Sequence, residues 1–596
     1  MARRGGAEDT EAIEAAIERE DVVEWRSVCV ENPKGEPTVE ERDALRAAKE
    51  SEKKAKALIL ERVNARLEVA GKKIKKDKVS KVLDSRCKAL ESELEEAASR
   101  PSYLNPPSGT RDFEPADMRL RNWLFGEMRK TAEEFGFKEY DAPVLEHVEL
   151  YERKAGEEIS EQMYNFVDKE GTRVTLRPEM TPSLARMVLN QTNLSTGEVR
   201  ATLPLKWYSI PQCWRFETTQ RGRKREHYQW NMDVVGEKAV TAELELLAAA
   251  CRFFQRLGIG PDKVGFRVNS RKVLDAALAK AGVPQDLFSK VCVVIDKLDK
   301  IGAPAVHDIL TAAPLSLPKD AADKVLACLA AKNVRELGVI CGDPNMPAIL
   351  ELDSLFEMAK SYGCDGYLDF DASVVRGLAY YTGVVFEAFD RKGELRAICG
   401  GGRYDKLLAL YGGDKCQIPC CGFGFGDCVI VELLKELNLM PNLEASIEFV
   451  VAPFSESMQA PACEVARALR DAGYSVDTVL APRKARATFD IANRAGARRV
   501  AFVGPDEWAN GLVRIKDMVV KDPSTGEGLQ LDVAIGELAN VDALLRQLAD
   551  KVGAAWPESA GGAQRPAPAA AQPLQFDATP DAAGFRLRAT SKFAVL

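Results

Sequence analysis

The sequence predicts an α+β protein built in parts: a charged helical N-terminal extension, a central domain on a large antiparallel sheet flanked by helices, and a compact C-terminal α/β domain. Three patterns lead there. Strand-like runs rich in Val, Phe and Tyr crowd together between Arg111 and Lys435 with few crossover helices between them, which favours an antiparallel sheet over a doubly wound one. After residue 446 strands and helices alternate, as a parallel α/β layer requires. Residues 1–100 place apolar residues at three-and-four spacing in a highly charged background, the mark of amphipathic helices. A chain of 596 residues exceeds one hydrophobic core and should hold about three or four folding units.

Taken in order, the extension covers residues 1–100 and includes the lysine-rich segment GKKIKKDKVSK, residues 71–81. An arm that touches RNA or a partner and a solvated amphipathic hairpin fit this composition equally. The turn cluster Asn105 to Thr110 closes the region. The central domain, residues 101–440, carries the strand candidates WYSIPQCWRFE, HYQWNMDVVG, KVGFRVNS, YLDFDAS and GVVFEAFD, with a helical insertion over about 271–345. Residues 446–550 read as the α/β domain, with helices through Pro461 to Ala472 and near Thr488 to Arg494. The tail over 553–596, rich in Ala, Pro and Gly, has the composition of a disordered segment.

Hydrophobic residues at 46% and charged residues at 29% are those of a globular protein. No apolar run is long enough to span a bilayer, so no membrane partner is expected. The first residues mix two arginines with many carboxylates and match neither a signal peptide nor a transit peptide, making a cytoplasmic address the default. The fourteen cysteines contain no CxxC pair, which favours buried reduced thiols over a zinc site even in the dense stretch Cys416, Cys420, Cys421 and Cys428; no protein-held metal is expected. With three histidines in the chain, the chemistry should rest on Arg, Glu, Gln and Tyr. The net charge of −8 does not exclude nucleic acid, because phosphate contacts depend on local patches such as 53–56, 72–81 and 221–225.

Neither a P-loop nor a GxGxxG turn opening a helix is present, so a nucleotide would need another cradle. Glycines cluster in CGGGRYDKLL, Cys399 to Leu408, and CGFGFGDCV, Cys421 to Val429. In a strand they allow close approach of a ligand or another backbone, and tight packing explains them as well. The segment Cys213 to Gly236 offers Arg215 and Glu217 on one arm, a basic loop with Arg221, Arg223, Lys224 and Arg225, and a return strand in which Gln229, Asn231 and Asp233 share a face. Such a hairpin suits a ligand with several phosphates; a solvated hairpin with polar faces is the plainer alternative. In TLRPEMTPSLAR, Thr175 to Arg186, Glu179 and Thr181 follow a proline, and a buried carboxylate there could hold an ammonium group. A simple helix start capped by threonine reads equally well. RGLAYYTGVVFE, Arg376 to Glu387, is a strand flanked by an arginine and two tyrosines.

In this order the motifs LRPEMT, WRFE with its basic loop and HYQWNMD, RGLAYYTG, and GGGRYDKL with GFGFG resemble the histidyl-tRNA synthetases, class II aminoacyl-tRNA synthetases. The likeness runs from NPPSGTRDFEP to about residue 550, where KARATFDIANRAGARRVAFVGPDE is similar to the family's anticodon-binding domain. The resemblance implies a histidine–tRNA ligase of class II fold that takes L-histidine, ATP with Mg²⁺ on its phosphates, and tRNA(His), and that pairs as a homodimer near FGFKEYDAPVLE. It further implies that Arg215 and Arg376 are catalytic, flanking the α-phosphate. Glu179, Met180, Thr181, Gln229 and Asp233, with Tyr380 and Tyr381 around the imidazole, would bind histidine. Glu217, Gln220, Arg223, Arg225 and Gly424 would hold ATP.

Three positions depart from the family pattern. Asp233 stands where glutamate is frequent, and Ala379 where aspartate is frequent. Val429 occupies a position that usually carries an arginine over the adenine, so that another arginine, such as Arg403, compensates or ATP binds more weakly. The variant GLAYYTGVVFE with GFGFGD resembles plant organellar forms, which makes a plastid or mitochondrion the alternative location.

Overall fold

A computed structural model describes Ile13, Ile17, Lys53 and residues 56–68, 74–99, 101–153, 161–295, 298–374, 381–443 and 447–556. The expectations for most of residues 1–55, for Arg376, Ala379 and Tyr380, and for the tail from 557 lie outside the described residues. The chain forms two compact units, one ending at Asp112 and one beginning at Phe113.

In the first unit a helix over 56–68 and helix α1 (Lys76–Ser99) share one small core. Ile59, Val63 and Leu67 recur every four residues, as do Val79, Leu83 and Cys87, so each set forms one apolar stripe, and the stripes bury together with Ile13. Lys75, Lys76, Lys78 and Lys81 remain on the exposed side.

The second unit is organised by a nine-stranded sheet. Its strands are β1 (Lys138–Glu139), β2 (Leu205–Ser209), β3 (Gln212–Trp214), β4 (Glu226–Val235), β5 (Val264–Ser270), β6 (Leu368–Phe370), β7 (Val384–Asp390), β8 (Cys399–Arg403) and β9 (Cys420–Gly426). The order is β1-β2-β4-β9-β8-β7-β5-β6, with β3 paired to β4. The interior pairings are antiparallel as expected, but the sheet is mixed, because β1 joins β2 and β6 joins β5 in parallel. Each parallel pair is separated in sequence by a long connection, and between β5 and β6 this is the helical insertion. The expected strand WYSIPQCWRFE is interrupted at Ile210–Pro211, leaving β2 and β3 as separate short strands.

One face of this sheet is apolar. Trp230 and Met232 of β4, Phe423 and Phe425 of β9, Phe386 of β7 and Phe266 of β5 are buried there. They pack against Phe253 and Phe254 of a long helix (Thr241–Arg256), with the Trp230 and Phe425 rings 5.0 and 5.2 Å from that of Phe253. Each such ring contributes roughly 1.5–3 kcal/mol of burial. The insertion helices, from Arg271–Ala281 to Val334–Ile340, bury Val291, Val306 and Val325 into the same core, so the insertion has no separate one.

The C-terminal sheet has strands β10 (Phe449–Pro453), β11 (Val476–Thr478), β12 (Arg499–Val503), β13 (Leu512–Lys521) and β14 (Gly528–Ala534), in the order β11-β10-β12-β13-β14. The parallel strands expected there are confined to β11, β10 and β12. β13 and β14 are antiparallel, because the turn at Asp522 to Glu527, with Gly526 at φ +72°, is too short for a crossover.

Candidate active site

Opposite its apolar face the nine-stranded sheet presents a polar one floored by glycine. Directly paired residues of neighbouring strands point the same way, and the register joins Trp207, Asp233, Gly422, Gly402 and Val385 in one row across β2, β4, β9, β8 and β7. A second row holds Ser209, Asn231, Gly424, Gly400 and Glu387. The glycines make room for protein side chains. A Cβ on Gly424 would come 2.5 Å from Gln229 Nε2, and one on Gly422 would collide with Asp233 Oδ1.

Asp233 is 2% exposed, and the Tyr404 hydroxyl donates to its Oδ1 in a short hydrogen bond. Burial and the neighbouring Asp233 carboxylate push the hydroxyls of Tyr404 and Tyr140 well above the usual tyrosine range, so both stay protonated donors. The Tyr140 ring lies 5.4 Å from that of Trp207, the residue beside Asp233 in its row. An anionic group walled by aromatic rings is suited to a cationic or imidazole-bearing ligand. Tyr381 closes the row, because a Cβ on Gly402 would come 3.0 Å from its ring.

Glu179 and Thr181 precede and open a buried helix (Thr181–Asn190). The Tyr151 hydroxyl donates to the Glu179 carbonyl at 3.2 Å and lies 3.2 Å from Ser183 Oγ, while Ser183 and Arg186 both donate to Glu146, at 3.0 and 2.6 Å. This network fixes the turn from the sheet into the helix. The turn is also tied to β3: Trp214 N donates to the Arg177 carbonyl at 2.9 Å, and Arg215 Nε donates to the Pro178 carbonyl at 2.9 Å. Arg215 is thereby held next to Glu179, and its terminal nitrogens meet no protein acceptor among the described residues. A guanidinium so held offers its outer edge to an anion.

The basic loop folds as a tight hairpin. Gln220 and Arg223 exchange backbone hydrogen bonds of 3.2 and 2.9 Å around Arg221–Gly222, with Gly222 at φ +70°, a left-handed conformation that favours glycine. Glu217 pairs closely with Arg223, and Arg225 donates from Nε to the Glu217 carbonyl at 3.2 Å while lying 4.1 Å over the Phe216 ring. Arg223 and Arg225 of the loop are thus drawn together around Glu217. A family model described as Histidyl-tRNA synthetase matches residues 109–426, and one described as Anticodon binding domain matches 448–541.

This chain belongs to the histidyl-tRNA synthetase family.

Relatives in that family agree over most of the chain. The Arabidopsis thaliana protein named histidine–tRNA ligase, chloroplastic/mitochondrial, is 50% identical over 431 residues, 72% of this chain and 85% of its own length. The histidine–tRNA ligase of Opitutus terrae is 36% identical over 440 residues, 73% of this chain and 98% of its own. Among solved folds, the histidyl-tRNA synthetase of Nostoc sp. superposes with a TM-score of 0.60 at 24% identity, over 74% of this chain and 99% of its own. That of S. aureus gives 0.53 at 22%, over 73% and 99%.

As a histidyl-tRNA synthetase family chain it has its own local features. Met180 is fully buried, with its sulfur 3.8 Å from an Arg177 nitrogen, packed within the turn that carries Glu179. Arg403 does not replace a cation at Val429: it is 2% exposed and committed to Glu243 at 2.6 and 2.5 Å and to the Glu237 carbonyl at 2.8 Å. Its pairing with Cys421, which in turn pairs with Val234, puts that side chain on the sheet's apolar face, opposite the Asp233 row, which the sequence alone does not reveal. Val429 itself is buried, in the first turn of a helix (Asp427–Glu436). Cys416, Cys420 and Cys421 are buried as expected, and burial pushes the Cys420 and Cys421 thiols well up. Tyr140, Trp207 and Tyr404 were not among the expected site residues. Tyr404 lies within GGGRYDKL and Trp207 opens WYSIPQCWRFE, but nothing local marks either for the site, and only strand register and the Tyr404 hydrogen bond bring them to Asp233.

In the C-terminal domain Phe454 and Leu480, 70% and 89% exposed, follow the carboxyl ends of the parallel strands β10 and β11. The exposed Arg483, Lys484 and Arg486 flank the start of the next helix (Ala485–Arg494).

Proposed function

We propose that this chain is a histidine–tRNA ligase that activates L-histidine with ATP and passes the histidyl group to the 3′ end of tRNA(His). Membership of the family across both the catalytic and the anticodon-binding segments carries the reading. The acidic, glycine-floored row and the tethered guanidinium of Arg215 support it.

In the first step a histidine carboxylate oxygen attacks the α-phosphorus of ATP, the bond to the bridging oxygen breaks, and pyrophosphate leaves with the electron pair. Arg215, tethered at Nε, spans the carboxylate and the α-phosphate and stabilises the charge that grows on the phosphoryl oxygens; Arg376 acts from the other side. Asp233 and Glu179, with Thr181 and Gln229, receive the ammonium group, and Tyr381 and Tyr380 enclose the imidazole, the pocket backed by Met180. The loop residues Glu217, Gln220, Arg223 and Arg225 hold the nucleotide with Gly424 beneath it, and Mg²⁺ arrives on the triphosphate. In the second step a terminal ribose hydroxyl attacks the acyl carbon and AMP leaves. The exposed Phe454, Leu480 and Arg483 surface of the C-terminal domain suits a single-stranded RNA loop, through stacking and phosphate contacts.

A homodimer joined near β1 accompanies this function, Val144 and Leu145 being exposed there. Among the described residues no helix is long and apolar enough to cross a membrane. The likeness to the Arabidopsis protein favours the plastid or mitochondrion over the cytoplasm as the place of action. Charging tests the function: purified protein with ATP, unfractionated tRNA and labelled amino acids, one at a time, should make acid-precipitable histidyl-tRNA and no other product. Absence of histidyl-tRNA, or equal charging with a second amino acid, contradicts it.

A further inference from the structure

The basic hairpin does not end in solvent. Arg221 at its tip reaches the helix that follows β9, donating from Nε to Glu432 at 3.1 Å and placing a terminal nitrogen 2.7 Å from Glu436. Beside it Gly222 lies on Val429: a Cβ on that glycine would come 3.2 Å from Val429 Cγ2. Val429, Glu432 and Glu436 are three and four residues apart and form one stripe along the helix. The hairpin tip therefore meets a matching surface, with a small apolar seat at the first turn and two carboxylates farther along.

We propose that Arg221 is a positioning residue that latches the hairpin tip onto this helix, with Val429 as the seat for Gly222, so that Glu217, Gln220, Arg223 and Arg225 stand ready for the adenine and phosphates of ATP before it binds. This rests on the ATP role proposed above for those four residues. The latch explains the side chain at 429. A long cationic residue there would occupy the space that Gly222 fills, and no Cβ-bearing residue at 222 combines that contact with φ +70°. The binding energy that would order a loose loop is then not drawn from ATP. Arg221 is half-exposed, and surface ion pairs are individually weak. Two carboxylates on one guanidinium still suffice to shift the equilibrium of a short loop several-fold, and both partners are three-quarters or more buried.

The test compares wild type with Arg221→Ala, Arg221→Lys and Val429→Ala in the full-length chain. In histidine-dependent exchange of pyrophosphate into ATP, Arg221→Ala should raise the KM for ATP about three- to tenfold. The KM for histidine and kcat should stay near wild type, Arg221→Lys should recover part of the loss, and Val429→Ala should move the same way as Arg221→Ala. Limited trypsin digestion without ligand should cut the loop after Lys224 several-fold faster in Arg221→Ala, with an unchanged thermal midpoint. Unchanged KM for ATP, or equal loss in both substrates, overturns the latch, as does an unchanged rate of loop cleavage. Failure of the wild type to exchange at all would count against the ligase reading, while the cleavage rate would still decide the latch.

Discussion

Gln229 lies across Gly424, its Nε2 2.5 Å from where a Cβ on that glycine would stand. The floor of the site is therefore shaped for protein side chains first, with Gln229 and Asp233 lying over Gly424 and Gly422, where the proposed function has them receive histidine. Gly424→Ala should push the Gln229 amide off the sheet while leaving the β9 backbone paired. The expected outcome is a rise of about tenfold or more in the KM for histidine, with an unchanged circular dichroism spectrum. Equal kinetics in the variant would mean that Gln229 does not touch the amino acid.

The hydroxyl of Tyr404 is the donor that orients Asp233. A hydrogen bond to a charged group contributes about 1.5–3 kcal/mol, so Tyr404→Phe should weaken histidine binding by roughly ten- to a hundredfold. Isothermal titration with histidine reads this directly, and the affinity for ATP alone should change little.

Arg403 and Glu243 form a fully buried pair. Burial pushes the Glu243 carboxyl up, and the guanidinium opposes that without cancelling it. Removing one partner leaves an uncompensated charge at about 3–5 kcal/mol. Arg403→Ala should therefore lower the thermal midpoint by many degrees, and the folded fraction should retain its ordinary KM for ATP. A selective loss of ATP affinity with normal stability would restore Arg403 to the nucleotide site.

The carboxyl of Glu432 is raised by burial and lowered more strongly by Lys435 and Arg221, for a net value below the ordinary one. A lowered folded value means stability that is complete above the unfolded value and lost as pH falls through the folded one. Loop cleavage, followed with a protease active in acid, should stay flat down to about pH 5 and rise only below the ordinary carboxylate range. A rise between neutrality and that point would assign the loop's order to another group.

Much of this was legible in the sequence where chemistry is local. The alternation Gln229, Asn231, Asp233 put three polar groups on one strand face, and β4 has them there. The proline and glutamate of LRPEMT announced a fixed turn, which the hydrogen bonds of Tyr151 and Arg215 fix. What could not be read depends on register between distant strands. Tyr404 reaches Asp233 because β9 lies between β4 and β8, and no spacing within either segment contains that fact. The parallel edge pairs were missed because periodicity reports which face a residue takes and not the direction of the neighbouring strand. Val429 reads as a lost cation from sequence position alone. Its contact with Gly222, more than two hundred residues earlier in the chain, is visible only in three dimensions.

The central claim is amino-acid-specific adenylation at this polar sheet face. The most direct measurement is pyrophosphate exchange into ATP by the purified chain with each of the twenty amino acids, alongside Arg215→Ala. Exchange with histidine only, reduced about a hundredfold or more in the variant, is the predicted result. No histidine-dependent exchange from folded protein, or full exchange by Arg215→Ala, would contradict it.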